Sequence, residues 1–552
     1  MTQDTIWKIQ TKKPSVNLTL PELFDILLQN RNLTTAKDIE DFLSPNLNGI
    51  TEMIFEDMQK SISRIEKAIK NKEKISVYSD YDADGISAAA ILWETLKSLG
   101  ADVMPYIPDR IKEGYGFSKV GIKSVSDTGV SLIISVDHGV TAVEEIEYAK
   151  SLGVDVILTD HHIIPDKSPS PYSLIHTTLI CGAAVSWKLS YELHKHFKLP
   201  LENIYEKLSI ASIATIADQM PLTSHNRAIV KHGLEYLRTT KRPGLVELYS
   251  VASIQKSKMD EYHLGHIIAP RINAMGRLDN AIQSLRLYCT NSPQKAKELS
   301  KILEETNIKR QNLTMTGVTD AFKLVDENKK IIILDSPDWH EGIIGLIAGR
   351  INDKFNKPTI IISRGKLFSK GSARSVAGVD ITELLRTSSQ DLLEDVGGHT
   401  MAAGFTVKTE NIAKLKKSIY EYFEKKYQNQ KFYKEVVVET ELSPHLINLD
   451  LYSKIQKLRP FGNSNSEPVF LLKNQLVKRI SKVGSDQSHI KIDLENISCI
   501  GFRLAEKSSS IRYGDYIDII FSLNLNEFNG RSSLQLVLID LAKTGDKNIQ
   551  RA

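Results

Sequence analysis

The stretch SVYSDYDADGIS, residues 76–87, decides how the N-terminal half of the chain is interpreted. It places Asp80, Asp82 and Asp84 within five positions, followed by Gly85. The residues before the aspartates, ISVYS, have the composition of a buried strand, and those after Gly85, ISAAAILWETLKSLG, have the pattern of a helix. The stretch therefore predicts a strand, an acidic turn and a helix.

The acidic turn has three possible explanations. The aspartate spacing matches the first half of an EF-hand loop, but position twelve is Ile91 where a bidentate Glu is needed, and a strand precedes it. At the end of a parallel strand, crowded carboxylates repel one another, and a divalent cation would remove the repulsion. A turn that only caps the following helix stays open, because Asp is a good N-cap residue.

Three further apolar segments end in acids or histidines: VSLIISVDHGV (130–140), GVDVILTDHHIIP (153–165) and LSIASIATIADQMPL (208–222). Their candidate ligands are Asp137, Asp160, His161, His162 and Asp218. Helical patterns between the segments predict βαβ units and one parallel sheet, whose strands end at one edge. We therefore expect the clusters to converge, although each alone is equally well explained by a helix cap or a core histidine.

The chemical types of the candidate ligands predict which metal ion would bind. Oxygen and imidazole ligands without thiolate favour Mn²⁺ or Mg²⁺ over structural zinc. A carboxylate-rich site suits two ions about 3.5–4 Å apart, an arrangement that holds the attacking and leaving oxygens of a phosphoryl displacement.

Length and composition exclude several classes of protein. The chain has 552 residues, enough for about three or four domains. The net charge of +4 is too small to predict a nucleic-acid partner. The three cysteines form no CxxC, which argues against a disulfide framework or a zinc-thiolate site. Without an apolar signal core or membrane-length segment, we expect a cytoplasmic protein with no membrane contact. We also expect a monomer.

The motifs DYDADG, VDHG, TDHH and ADQMPL resemble those of the DHH phosphoesterase family. RINAMGRLDNA (271–281), WHEGIIGLIAGRI (339–351), GSARS (371–375), GGHTMAAGF (397–405) and LRPFGNSNSEPVF (458–470) resemble its branch of long bacterial single-strand exonucleases. The resemblance runs from about residue 50 to beyond residue 540. It implies a two-metal nuclease that degrades single-stranded DNA from the 5′ end to 5′-mononucleotides, in DNA repair and recombination.

The resemblance also implies roles for the acidic and histidine residues. The metal ligands would be Asp82, Asp84, Asp137, His161 and Asp218, with Asp137 between two Mn²⁺ or Mg²⁺ ions. Asp80 and Asp160 would orient ligands, and His162 would lie near the scissile phosphate. Single-stranded DNA would be the substrate, and a RecQ-type helicase and a single-strand-binding protein the partners.

The predicted fold class is α/β multidomain: a parallel-sheet DHH domain, a smaller α/β DHHA1 domain joined by a long helix, and a C-terminal β-barrel of the OB-fold. The predicted boundaries are a helical segment 1–50, the DHH catalytic domain 51–250, a linker with the long helix 251–327, the DHHA1 substrate-binding domain 328–428 and the OB-fold 431–545. The barrel strands are assigned to β-rich segments that begin with EVVVETEL (435–442).

Predicted substrate contacts lie in both halves of the chain. Small residues in GSARS and GGHTMAAGF would let backbone amides approach an anion closely, and an Arg there would add a bidentate contact. The resemblance implies that this is the pocket for the 5′ end, with Ser372, Arg374, Gly398 and His399 as its contacts. Tight packing by small residues is the alternative. Arg110 and Arg277 are predicted strand contacts.

Two segments depart from the family pattern, and two other functions compete with the exonuclease. His176-Thr177-Thr178 replaces an Asn-Pro-Asn-like stretch, and Gly462–Pro468 varies a Gly-Asn-Gly-Asn-Pro-Glu-Pro-like one. An oligoribonuclease or cyclic-dinucleotide phosphodiesterase of the same superfamily is the main alternative, although such enzymes lack the extra barrel. A non-catalytic relative is disfavoured because all five ligands are present.

Overall fold

The computed structural model describes residues 5–11, 18–110, 113–114, 116–495, 497–528, 531–546 and 549–551. The chain folds as two compact units, one of residues 35–310 with 458–466, the other of residues 1–34, 311–457 and 467–552. Among the helices of the described residues, none combines the length and apolar composition needed to cross a lipid bilayer.

The elements follow in chain order. The strands are β1 Thr5–Ile9, β2 Lys74–Ser79, β3 Asp102–Tyr106, β4 Val130–Val136, β5 Asp155–Asp160, β6 Ser173–His176, β7 Ile332–Ser336, β8 Thr359–Ser363, β9 Phe368–Arg374, β10 Leu393–His399, β11 Ala402–Lys408, β12 Lys434–Val438, β13 Thr440–Glu441, β14 Phe470–Leu476, β15 Arg479–Val483, β16 His489–Asp493, β17 Ser498–Gly501, β18 Tyr516–Phe528, β19 Arg531–Lys543 and β20 Ile549–Arg551. The α-helices are α1 Leu20–Gln29, α2 Ala36–Leu43, α3 Asn48–Thr51, α4 Met58–Lys70, α5 Ala83–Ser98, α6 Lys119–Asp127, α7 Val143–Ser151, α8 Gly182–His196, α9 Glu202–Tyr205, α10 Leu208–Ala217, α11 Ser224–Thr239, α12 Pro243–Val251, α13 Ala269–Leu278, α14 Ile282–Cys289, α15 Pro293–Leu324, α16 Ile344–Phe355, α17 Ile381–Ser389, α18 Ile412–Tyr427 and α19 Leu449–Gln456.

The first unit is built on the predicted parallel sheet, with strand order β3-β2-β4-β5-β6. Ile134 of β4 belongs to the core that includes α5, α8 and α10, whereas Ile133 packs with α6 and α7. Because both faces are covered, the strands are almost continuously apolar, as ISVYS and LIISV show. The register brings the C-terminal ends of β2, β4 and β5 side by side.

The fourth ligand-bearing segment is a helix, not a strand of the sheet. Residues 208–217 form α10, and Asp218 is its C-cap residue. The inference that Asp218 arrives at the sheet edge on a parallel strand is therefore wrong. A helix that is apolar on all sides is buried on all sides, and hydrophobic periodicity does not distinguish it from a buried strand.

In the second unit, residues 332–408 form the sheet β10-β11-β9-β8-β7. Its core holds residues of β8, β9 and β11 with α17 and α18. The predicted long helix is α15, of 32 residues.

The C-terminal sheet has the order β13-β14-β18-β19-β17-β16-β15 and is mainly antiparallel, with parallel pairs β13–β14 and β17–β19. The assignment of EVVVETEL to this sheet is wrong for its first half, residues 435–438, and holds for β13. β12 instead pairs in parallel with β1, and β20 pairs with the other edge of β1. Trp7 anchors this small sheet, because its buried ring packs against Val438 and its Nε1 donates to Asp540 at 2.9 Å. The five domain boundaries stay a prediction.

Candidate metal centre

Carboxylates and two imidazoles converge where β2, β4 and β5 end, together with the C-terminus of α10. Three groups each offer ligand atoms within 4.8 Å of one another: Asp137, His161 and His162; Asp84, His161 and Asp218; and Asp80, Asp82 and Asp137. The structure thus brings seven of the eight acidic and histidine residues predicted from the sequence into these groups. The eighth, Asp160, contacts His162 directly.

The DYDADG turn serves both as a helix cap and as a cluster of carboxylates. Asp82 is the N-cap residue of α5, and its Oδ1 accepts from the amides of Asp84 at 2.9 Å and Gly85 at 3.0 Å. Asp80 accepts from the amide of Tyr81 at 2.7 Å. A Cβ atom on Gly85 would lie 2.6 Å from the Asp80 carbonyl oxygen, so the turn requires glycine there. The cap and the candidate ligand are the same side chain.

Asp84 is held by the N-terminus of α8. The amides of Gly182 and Ala183 donate to its two carboxylate oxygens, each at 2.7 Å. Unpaired amides and the helix dipole make such a terminus favourable for a carboxylate. The sequence interpretation missed these two residues, although Gly182 stands in the segment CGAAVSWKL next to the region noted as departing from the family.

Asp137 lies at the centre of the cluster. It is buried, with a backbone φ of 68°, and none of the residues that the structure describes donates a hydrogen bond to its Oδ1. His161 Nε2 lies 3.2 Å from that oxygen without hydrogen-bond alignment, and 3.7 Å from Oδ2 of both Asp84 and Asp218. A buried carboxylate oxygen without a donor is costly unless a cation contacts it.

Asp160 orients the two histidines. Its Oδ1 accepts from the amides of His161 at 2.7 Å and His162 at 3.1 Å, and from Nδ1 of His162 at 2.8 Å. Its Oδ2 accepts from the amide of Val140 at 2.9 Å. Burial alone would raise the pKa of Asp160, but the hydrogen bond and charge of His162 hold it well below its usual range. Asp160 therefore remains ionised.

His162 carries a proton near neutral pH. Burial opposes its charge, but the hydrogen bond to Asp160 and the charge of that carboxylate raise the pKa of His162 to about 9. By contrast, burial lowers the pKa of His161, which leaves that imidazole neutral and able to bind a cation. His176, in the segment that departs from the family, places Nε2 at 2.7 Å from the His162 carbonyl oxygen and so supports the same turn.

The remaining carboxylates repel one another. Burial, followed by the charges of neighbouring aspartates, raises the pKa values of Asp80, Asp82 and Asp137. Burial and the charges of Asp84 and Asp82 raise the pKa of Asp218 to about 8. A cluster that resists ionisation in this way is stabilised by divalent cations, which return the carboxylates to their charged form.

Arg110 and Arg277 lie near the DYDADG turn. The Arg110 guanidinium lies 5.1 Å from the ring centroid of Tyr81, and both residues line a small cleft with Gly276 and Asp279. Arg277 is in the last turn of α13. The same helix contributes Asn273, whose Oδ1 accepts from the Ala83 amide at 2.7 Å. The sequence interpretation missed Asn273, although it stands in the quoted motif RINAMGRLDNA.

The four predicted contacts for the 5′ end lie on neighbouring strands of the second unit. Arg374 of β9 and His399 of β10 both pair with Ala402 of the intervening β11. Arg374 donates to Ser372 Oγ at 3.3 Å, and burial lowers its pKa. Gly398 has a φ of 146°, and a Cβ there would lie 2.3 Å from the Ala402 carbonyl oxygen. The strands thus group the four residues at one end of the sheet.

Comparison with known families matches three parts of the chain. The model of the DHH family, N-terminal domain, matches residues 74–216, that of the DHHA1 domain residues 328–425, and that of the RecJ OB domain residues 438–540. The fold and its cluster of carboxylates therefore define a protein of the DHH–DHHA1 class with an added OB domain.

Comparison with individual relatives identifies the family within this class. The chain is 33% identical to the single-stranded-DNA-specific exonuclease RecJ of Bacillus subtilis (strain 168), over 97% of this chain and 70% of the relative. The structure of RecJ in complex with Mn²⁺ from Thermus thermophilus is similar with a TM-score of 0.86 and 28% identity, over 99% of this chain and 81% of that one. Its complex with Mg²⁺ gives a TM-score of 0.79 and 27% identity, over 99% and 79%. The chain belongs to the RecJ family.

Proposed function

We propose that this protein is a metal-dependent exonuclease that hydrolyses single-stranded DNA from the 5′ end and releases 5′-mononucleotides. The observation that carries the proposal is the cluster of five aspartates around neutral His161. Asp80, Asp84 and Asp137 are buried, and Asp82 and Asp218 are partly buried. Relatives that are about one third identical are named single-stranded-DNA-specific exonucleases, not oligoribonucleases or cyclic-dinucleotide phosphodiesterases. This supports the exonuclease over the alternative.

The residues of the cluster fit divalent cations. The proposed ligand atoms are carboxylate oxygens and one neutral imidazole, and within the described part of the chain one buried carboxylate oxygen of Asp137 has no hydrogen-bond donor. Asp82, Asp84, Asp137, His161 and Asp218 would hold two Mn²⁺ or Mg²⁺ ions, with Asp137 shared. When bound, such ions lower the pKa of water and neutralise charge on a phosphodiester.

The protein's own groups supply positioning. The α8 amides and the Asp82 cap interactions fix two carboxylates before substrate arrives, so little reorganisation is needed. Protonated His162, oriented by Asp160, would donate to a phosphate oxygen and balance its charge. Asp80 would act only through the turn that it closes on the Tyr81 amide.

Substrate contacts complete the proposal. Ser372, Arg374, Gly398 and His399 would bind the 5′ end, with Arg374 contacting the terminal phosphate. Arg110 and Arg277 would contact the strand near the metal cluster. Because these contacts recognise phosphate and strand end rather than base edges, the activity would depend little on sequence.

We also propose the cellular setting predicted from the sequence: a monomer in the cytoplasm that acts with a RecQ-type helicase and a single-strand-binding protein. A monomer would sediment near 62.0 kDa. Duplex DNA would resist the protein alone and be degraded once a helicase and ATP are added.

The test of the function uses one oligonucleotide labelled at either end, with Mn²⁺ and purified protein. A 5′ label on single-stranded DNA should appear at once as a mononucleotide, whereas a 3′ label should give a ladder. Duplex DNA and RNA should survive, and EDTA should abolish all cleavage. A ladder from the 5′ label would mean that hydrolysis starts at the 3′ end and would contradict the proposed polarity. Faster cleavage of RNA than of DNA would favour the oligoribonuclease.

A further inference from the structure

The segment LRPFGNSN, residues 458–465, has no role in the function proposed so far. It follows α19 in the chain, yet residues 458–466 pack with residues 35–310, which contain the metal centre. It belongs to the sequence motif whose residues vary from the family pattern. Its contacts suggest that it acts on the metal centre.

The base of this segment is fixed by buried charged and polar groups. Arg227, which is fully buried, donates to the carbonyl oxygen of Arg459 at 2.7 Å. Glu261 accepts from the Phe461 amide at 2.9 Å and from Arg459 at 2.7 Å. Buried Asn465 donates from Nδ2 to the carbonyl oxygens of Leu458 at 2.9 Å and Pro460 at 2.8 Å. The tip therefore projects from a rigid base.

The tip of the segment contacts the turn that follows Asp218. Nδ2 of Asn463 donates to the Gln219 carbonyl oxygen at 2.7 Å. The Asn463 carbonyl oxygen accepts from the Leu222 amide at 2.8 Å. Gly462 lies against Leu222 so closely that a Cβ would be 2.8 Å from Cδ1. One residue thus holds both ends of the DQMPL turn.

The turn needs such support because of its backbone conformation. Gln219 has a φ of 55°, its amide donates to Ile216, and the Met220 amide donates to Thr215. This is a Schellman helix end, in which the left-handed residue is usually glycine. A residue with a side chain persists in this conformation only when its surroundings hold it there. Asp218 is the residue immediately before Gln219, so the direction of its carboxylate depends on this turn.

We propose that Asn463 is a positioning residue that holds the Gln219 turn and thereby fixes the Asp218 carboxylate for binding a divalent cation. The inference rests on the proposed metal-dependent function. The side-chain amide is required as a donor, and the exposed position of Asn463 means that its removal uncovers little apolar surface. Its loss should therefore act on metal binding and not on folding.

The experiment measures Mn²⁺ binding to the purified full chain by isothermal titration calorimetry, with bound ions counted by electron paramagnetic resonance. Wild type is compared with Asn463→Ala, with Asn463→Asp, which keeps the shape but loses the donor, and with the control Asn203→Ala, which removes an exposed asparagine side chain of α9. We expect wild type and Asn203→Ala to bind two ions alike. Both Asn463 variants should bind one of the ions about tenfold more weakly, the usual effect of losing a group that orients a ligand.

Two further measurements separate positioning from folding. The unfolding midpoint in EDTA should be the same in all four proteins. At saturating Mn²⁺ the KM for an oligonucleotide should be unchanged, while the Mn²⁺ concentration for half-maximal rate rises about tenfold in the Asn463 variants. A lowered unfolding midpoint in those variants, or wild-type Mn²⁺ affinity, would overturn the proposed role of Asn463 and leave the proposed function standing. Wild type that binds no Mn²⁺ would overturn the proposed function itself and the inference with it.

Discussion

A Cβ atom on Gly182 would stand 2.5 Å from Oδ1 of Asp137 and 2.8 Å from its Cγ. The first residue of α8 therefore leaves the space that the central carboxylate occupies, while its amide holds Asp84 at 2.7 Å. Two candidate ligands from different parts of the sheet edge are thus arranged by the start of one helix.

We predict that Gly182→Ala loses most activity, by about 100-fold, because the methyl group must displace Asp137. The measurement is the rate on single-stranded DNA together with Mn²⁺ affinity. Gly349→Ala is the control, since a Cβ on that glycine of α16 would meet no described residue within 4 Å beyond its own helix. It should retain full activity and unfold at a slightly higher temperature, as alanine favours helix. Full activity in Gly182→Ala would contradict the close packing.

Asp137→Asn should lower the rate of hydrolysis by at least about 10³-fold, because the carboxylate that we propose contacts both ions is lost. Asparagine suits the left-handed conformation at this position, so the backbone should not change. In EDTA the variant should unfold at a higher temperature than wild type, since one repelling carboxylate is removed. Affinity for a short oligonucleotide, measured by anisotropy, should stay within about twofold, because phosphate contacts elsewhere dominate binding. Wild-type turnover would remove the central role of Asp137.

Arg374→Ala should weaken selection of a phosphorylated 5′ end. Loss of a charge-assisted contact should raise KM about 10–100-fold for a 5′-phosphorylated oligonucleotide and change kcat little. Lys370→Ala on the same strand, where Nζ donates to Thr406 at 2.9 Å, is the control and should leave KM unchanged. Equal KM values for Arg374→Ala and wild type would exclude Arg374 as the contact.

Glu94 lies in a network of charged residues away from the metal centre and predicts how the stability of the fold depends on pH. Burial opposes its ionisation, but Arg242 and Lys207 hold the pKa of Glu94 at about 2. A lowered folded-state pKa gives stability that is present above the unfolded value near 4.3 and is lost as pH falls toward 2. Glu94→Gln should therefore cost about 3–5 kcal/mol at neutral pH, and the difference from wild type should shrink between about pH 4 and pH 2.

The control for this prediction is Glu66→Gln, which removes a surface partner of Lys70 and His196 whose side chain is 28% exposed. Exposed pairs contribute little, so the unfolding midpoint should barely change. The measurement is thermal unfolding across pH. A Glu94→Gln variant as stable as wild type at pH 7 would contradict the buried network.

The sequence predicts those residues of the candidate metal centre whose position follows from the strand that precedes them. Asp80, Asp82, Asp137 and Asp160 each follow or end an apolar strand, and parallel strands end at one edge, so their convergence was predictable. Asp218 was expected for the wrong reason, because α10 is apolar on every side and its periodicity resembles that of a buried strand.

What the sequence could not predict depends on contacts between distant segments. The pairing of β1 with β12 joins residues 5–9 to residues 434–438, and no local pattern indicates it. Gly182, Asn273 and Asn463 act through hydrogen bonds to turns far away in the chain. Such residues have no distinctive chemistry of their own, and only the fold shows what they hold.

The central claim is that the carboxylate cluster binds two divalent ions, and anomalous diffraction at the manganese edge tests it most directly. Crystals grown with Mn²⁺ should show two peaks about 3.5–4 Å apart, with Asp137 contacting both and His161, Asp84, Asp82 and Asp218 around them. A single peak, or peaks away from Asp137, would contradict the account.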